Sequence, residues 1–102
     1  MTSTFDHEKI DEIIHSRIRL AIMAALATVD EIDFTTLLKE VNTTKGNLSV
    51  HLTKLEEHGY IRIDKKFANK KPLTLCSITK RGAAALHAYL DMVTEFAKFQ
   101  KR

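Results

Sequence analysis

Lys45, Gly46, Asn47, Ser49, Val50, His51, Thr53 and Lys54 crowd into one short stretch directly after Thr44. Their chemistry suits the surface of duplex nucleic acid. Lys45 can reach a phosphate or a guanine edge, and Asn47 can donate and accept towards adenine. Ser49 and Thr53 offer short hydroxyls, and Val50 can lie against a thymine methyl. Gly46 has no side chain to hold a backbone away, while His51 and Lys54 sit on the flanks, where phosphate is the nearer partner. No carboxylate interrupts the stretch from Lys45 to Leu55. A second group, Lys65, Lys66, Asn69, Lys70 and Lys71, can straddle a phosphate backbone or a minor groove. Lysines at an exposed hairpin edge also discourage unwanted strand pairing.

These groups need elements to position them. Leu48, Leu52 and Leu55 recur at i, i+4 and i+7, so at about 100° per residue they form one apolar stripe of a helix. The polar residues above fall on its opposite face. The Thr44 hydroxyl is the preferred N-cap, accepting from the amide of Gly46 or Asn47, and Gly59 stands where a left-handed residue closes a helix. Downstream, 60–67 alternates as a strand, 73–78 is rich in strand formers, and 68–72 reads as the hairpin tip. Upstream, Asp6–His15 reads as a helix with Ile10, Ile13 and Ile14 on one face. Ser16 caps a second helix to Ala27 that has few polar positions and should be central. Residues 30–34 form a turn with at most a very short strand. Thr35 caps a short helix over 36–41 that buries Leu37, Leu38 and Val41. Thr79 caps a last helix to Phe99, roughly 30 Å long.

The expected fold is therefore one domain over 1–102, mainly α with a small β-hairpin (α+β). It comprises an N-terminal helix over 6–15, a helix-turn-helix over 35–58, a wing hairpin over 60–78 and a dimerisation helix over 79–99. That order is the layout of a winged helix-turn-helix, in which one helix enters the major groove and the hairpin flanks it.

Composition narrows the function. The 102 residues carry a net charge of +3, unevenly spread. Residues 1–42 hold four basic and eight acidic side chains, whereas 43–102 hold twelve basic and five acidic ones. The basic excess gathers around one helix and one hairpin, as a polyanion partner requires. Arg17, Arg19, Lys80 and Arg81 are further phosphate candidates. No apolar run approaches the roughly 18 residues of a membrane span. The first residues lack the basic-then-apolar order of a secretion signal, so a cytoplasmic location is expected. The single cysteine, Cys76, permits no intrachain disulfide and reads as a small buried apolar residue rather than a redox sensor. His7, His15, His51, His58 and His87 lack metal-ligand spacing, and there is no glycine-rich phosphate loop or nucleophile elbow. An enzyme is not expected, nor a cofactor or metal.

The stretch from Thr44 to Ser49, with His51, Leu52 and Leu55–Ile61, resembles the recognition helix of small winged-helix transcriptional regulators related to the MarR and PadR groups. Lys70–Thr74 with Ile78–Leu86 is similar to that family's wing and the start of its last helix. A weaker match covers 15–22. The resemblance spans about residues 15–90, with its motifs in the right order. It implies a homodimer on a roughly palindromic operator, acting on transcription. Many relatives carry an arginine just after the wing proline, where this chain has Leu73, so wing contacts fall to the lysines.

The last helix bears on assembly. Ala83, Leu86, Leu90, Val93 and Ala97 form one apolar stripe, and Ala85, Tyr89, Met92 and Phe96, extended by Phe99, a second. The combined arc of roughly 200° is twice what packing on one core needs. One stripe is expected to cover this domain and the other a second copy. The expected interface is Ile10, Ile13, Ile14, Leu86, Tyr89, Leu90, Met92, Val93, Phe96 and Phe99. Both stripes folding onto the first helix within one chain is the alternative. Double-stranded DNA and self are thus the expected partners. Two other readings stay open: a winged-helix module for an acidic protein, and a regulator with a small-molecule effector in the dimer cleft.

Overall fold

The structure is a computed structural model that describes residues 6–98. Its helices are α1 (Arg17–Ala27), α2 (Phe34–Val41), α3 (Lys45–Glu57) and α4 (Lys80–Lys98). A three-stranded antiparallel sheet, β1 (Ile32–Asp33), β2 (Ile61–Ala68) and β3 (Lys71–Ile78), has the order β1-β3-β2. The winged architecture expected from the sequence is present. Among the described residues no helix is long and apolar enough to cross a membrane.

Each helix starts where a side-chain oxygen accepts one of the free amides of the first turn. Ser16 Oγ accepts from Arg19, Thr44 Oγ1 from Asn47 and Thr79 Oγ1 from Gly82, at 3.3, 3.1 and 2.9 Å. For α2 the cap is Asp33, not Thr35. Its carboxylate accepts from the Thr36 amide at 3.1 Å and from the Thr36 hydroxyl at 2.6 Å, which starts the helix at Phe34. The hydroxyl and amide of Thr36 together hold the Asp33 carboxyl below its ordinary value.

The N-terminal segment departs from expectation. There is no α-helix over 6–15, only a short 3-10 turn at His7–Lys9. Asp6 accepts from the Glu8 amide at 3.0 Å, and Asp11 accepts from the amides of Ile13 and Ile14 at 2.9 and 3.3 Å. Between them Ile10 is extended. Two short acidic side chains each capture nearby amides, and that local bonding outcompetes the isoleucine periodicity.

The core draws on every element. Ile18, Ile22, Met23 and Leu26 of α1 meet Leu37 and Val41 of α2, Leu48, Leu52 and Leu55 of α3, and Ile61 and Cys76 of the sheet. Ile14, Leu86 and Tyr89 belong to this core as well. Ile14 and Leu86 are therefore withdrawn from the expected dimer interface, because a side chain buried within one chain has no surface left for another, whereas Tyr89 also lines an apolar cavity beside α4. Leu90, Val93 and Phe96 are exposed beyond them. The apolar arc of α4 thus divides around the helix as well as along it: Ala85, Tyr89 and Met92 are buried or half-buried where Ala83, Leu90 and Val93 are exposed, and burial fades towards the end of the helix. Phe99 lies outside the described residues.

Helix α3 ends in a Schellman arrangement, with the Gly59 amide on the Glu56 carbonyl and the Tyr60 amide on the Leu55 carbonyl, at 2.9 and 3.0 Å. Gly59 takes the left-handed φ of 74° that this requires. The hairpin that follows pairs from Ile61↔Ile78 out to Ala68↔Lys71, further than expected, leaving only Asn69 and Lys70 as the turn. Both have positive φ, 52° and 65°, as the two central residues of a type I′ turn must. Pro72 is tolerated in β3 because β1 pairs only with Leu75 and Cys76, leaving Pro72 without a neighbour on its far side.

Helix α4 starts hard against this junction. The Thr79 amide donates to the Tyr60 carbonyl at 3.1 Å and its hydroxyl to the Gly59 carbonyl at 2.6 Å. A Cβ added at Gly82 would stand 2.0 Å from the Tyr60 carbonyl oxygen. Gly82→Ala must therefore push α4 off the α3–β2 joint and is expected to destabilise by about 1–3 kcal/mol. Gly46→Ala, with nothing within 4 Å of the added carbon, should instead gain up to about 1 kcal/mol. Thermal or urea unfolding of the two variants checks both signs.

Candidate nucleic-acid interface

Helix α3 presents the face that its sequence pattern requires. With Leu48, Leu52 and Leu55 buried, Lys45, Gly46, Asn47, Ser49, Val50, Thr53 and Lys54 are all exposed. Val50 is 67% exposed, an apolar patch among polar neighbours. Ser49, Val50, Thr53 and Lys54 continue into a shallow groove with Glu57 and His58. Thr44 stands at the head of this face, but its hydroxyl oxygen is engaged by the Asn47 amide. Helix α2 precedes α3 by a tight break in which Asn42 adopts left-handed φ, 57°.

His51 differs from its neighbours. It is half-buried, and its Nδ1 lies 2.9 Å from Nη1 of Arg19. A guanidinium can only donate, so Nδ1 accepts and the neutral ring carries its proton on Nε2. Burial, followed by the charges of Arg19 and Lys54, holds His51 below its ordinary value. A neutral ring that keeps one outward N–H can still donate to a phosphate. Arg19 also donates to the carbonyls of Ile13 and Glu12, so this guanidinium ties the N-terminal segment to α3 and is not a free phosphate ligand.

Arg81 is occupied in a similar way, its guanidinium carbon 5.8 Å from the centre of the Tyr60 ring. The Tyr60 hydroxyl donates to Asp11 Oδ2 at 2.6 Å. Burial and then Asp11 push the phenol up to about 12. His15 Nδ1 and the Tyr89 hydroxyl share a hydrogen bond of 2.8 Å. These contacts link positions far apart in the chain, and no local pattern could have foretold them.

The wing carries Lys65, Lys66, Asn69, Lys70 and Lys71, all exposed, with Asn69 and Lys70 forming the turn itself. Antiparallel register places Lys65 opposite Thr74 and Lys66 opposite Leu73. One neighbour escaped the sequence reading. Phe67, opposite Pro72, is 78% exposed. Its signal was available, since a strand that alternates has no core left to meet so near its tip. Cys76 is buried between β1 and β2, and burial pushes its thiol up to about 11. That leaves it a protonated core residue at neutral pH.

Residues 18–97 match a protein family described as a winged helix DNA-binding domain. An uncharacterized protein of Methanocaldococcus jannaschii is 32% identical over 87 residues, 85% of this chain and 95% of that protein. The structure of a transcriptional regulator homologue from Pyrococcus horikoshii OT3 superposes with a TM-score of 0.81 at 27% identity. That match covers 86% of this chain and 87% of the other. A MarR family transcriptional regulator from Silicibacter pomeroyi shares the fold, with a TM-score of 0.62 at 19% identity, covering 84% of this chain and 55% of that one.

The depressed His51 value has a measurable sign. The unfolded chain binds a proton at His51 near its ordinary 6.5, before the folded one does. The stability owed to the neutral ring is present above that pH and falls away as the pH drops towards the lower folded value. His51→Gln keeps a polar side chain but cannot titrate. Its stability, followed from about pH 8 to 5, should lose less on acidification than that of the parent. Parallel curves would remove the Arg19–His51 bond from the account.

Proposed function

The chain belongs to the family of winged helix DNA-binding domains, and we propose that it acts as a sequence-specific transcriptional regulator, binding a two-fold operator as a homodimer and repressing by occupying it. Helix α3 enters the major groove and the wing lies on the flanking backbone. The observation that carries this reading is the outward face of α3. Its seven exposed positions from Lys45 to Lys54 hold no carboxylate, and they stand on a stripe of three buried leucines. Such a face has donors, acceptors and a methyl surface for base edges, with ammonium groups at its margin. The lysines of the hairpin extend the same charge beyond the groove that α3 fills.

The second half of α4 supports self-association. Leu90 and Val93 are 49% and 47% exposed, and Met92 and Phe96 lie beside them on the same helix. Met92, Val93 and Phe96, with Ile10, His15 and Tyr89, line an apolar cavity of about 210 Å³. That volume is below the roughly 300–1,000 Å³ of usual small-molecule sites, which favours a second copy over an effector as its cover. A closed two-fold pair is the commonest assembly. It would set two recognition helices about one DNA turn apart.

Selection of bound sequences from random duplex DNA tests the reading directly. The expected product is an inverted repeat with half-sites about 10 base pairs apart. On the selected duplex, Asn47→Ala should cost about 1–3 kcal/mol and relax the preference at one position per half-site. Lys70→Ala and Lys71→Ala should weaken all duplexes alike, each lowering the salt slope by about one. Variants that bind as the parent does would refute this docking. Val93→Glu should shift the protein from dimer to monomer in light scattering at micromolar concentration, since it buries a carboxylate in an apolar face. An unchanged mass would place the interface elsewhere.

A further inference from the structure

We propose that Phe67 is an apolar anchor that seats the wing in the minor groove next to the major groove occupied by α3. The inference rests on the DNA-binding reading above and adds to it an apolar contact residue. Phe67 is more exposed than any other large apolar side chain among the described residues, at 78%. Its setting accounts for that exposure. Ile61 and Ile63 lie on the same face of β2, buried and half-buried, and Lys65 and Phe67 follow by alternation once the core has ended. The cross-strand neighbour on that face is Pro72, also exposed. The two form a small apolar tip that nothing in the fold requires.

The charge around the tip selects its partner. Lys65 and Lys66 precede Phe67, Lys70 and Lys71 follow the turn, and no carboxylate lies between 65 and 71. A partner for this tip must offer an apolar surface set between anionic groups. The minor groove does so, with deoxyribose walls and a phosphate row along each rim. Distance agrees. From Ile61 to Phe67 the strand runs about 20 Å, close to half of a DNA turn of about 34 Å. That is the step from a major groove to its neighbouring minor groove. β2 packs against α3, so the ribbon leaves the domain from beside the recognition helix. The type I′ turn holds the two strands in register, which fixes the face on which Phe67 stands. A·T flanks suit the ring better than G·C flanks, because guanine projects an amino group from the groove floor.

The test uses the full chain and a duplex selected by the parent protein, rebuilt with either A·T or G·C flanks. Phe67→Ala should bind the A·T-flanked duplex about tenfold more weakly. It should lose the parent's preference between flanks while keeping its salt slope and melting temperature. Phe67→Leu should retain most of the affinity. A Phe67→Ala protein that binds both duplexes as the parent does overturns the anchor and leaves the DNA-binding reading intact, provided Lys70→Ala still weakens binding. Loss of binding to phosphatidylserine vesicles by Phe67→Ala, with DNA binding unchanged, overturns it in favour of a lipid contact. Failure of the parent to bind any duplex overturns both readings together.

Discussion

Tyr60 is the joint on which the relative placement of helix α3 and the wing depends. Its amide closes α3, its carbonyl accepts from Thr79, its ring lies under Arg81 and its hydroxyl holds Asp11. One residue between helix and hairpin thereby receives α4 on its backbone and the N-terminal segment on its side chain. A two-part reading surface requires such a joint. In the proposed docking, helix and ribbon reach two places on one duplex at a set spacing, which a slack connection would blur. Gly59 and Gly82 serve the joint from either side, the first by its left-handed φ and the second by leaving room for the Tyr60 carbonyl.

Much of this was legible in the sequence where the deciding forces are local. The leucine stripe of α3 and the hydroxyl caps at Ser16, Thr44 and Thr79 act through neighbours a few residues away. So does the glycine closing α3, and all five stand as their patterns required. The N-terminal segment was misread because its isoleucine spacing is helical, while Asp6 and Asp11 decide the outcome by taking the amides a helix would need. In α4 the periodicity was right, but the point at which the core ends, after Tyr89, depends on the length of the neighbouring elements. The turn at Asn69–Lys70 lacks the glycine that usually marks a type I′ turn. Arg19 and His51 are 32 residues apart, and their bond exists only once α1 and α3 have packed. The exposed face of α3 and the cap at Thr44 were accordingly legible, whereas the internal contacts of His51, Arg19 and Arg81 were not.

Two arginines serve the fold: Arg19 bridges two segments and Arg81 covers Tyr60, whereas Arg62 lies 4.0 Å from Asp64 in an exposed pair of little energetic weight. The wing and the outward face of α3 carry lysine instead. A guanidinium brings a planar fork that fits two acceptors at once, whereas an ammonium is a compact charge on a flexible stem. At Arg19 and Arg81 the chain uses the fork to hold geometry internally, and the flexible charge suits the uniform phosphate row of the proposed docking. In the docking proposed above, discrimination between sequences falls to the short uncharged side chains, Asn47, Ser49, Val50 and Thr53.

The two-residue turn of the wing makes the hairpin a calibrated length as well as a shape. Side chains alternate from face to face, so one residue added to either strand would turn the tip over and exchange Phe67 for a lysine neighbour on the face it now occupies. Relatives that keep this surface should therefore vary wing length by two residues in each strand, if they vary it at all. Changes to the α1–β1 connection face no such rule. The hairpin, the most exposed part of the molecule, is by this reasoning among the least tolerant of a single insertion.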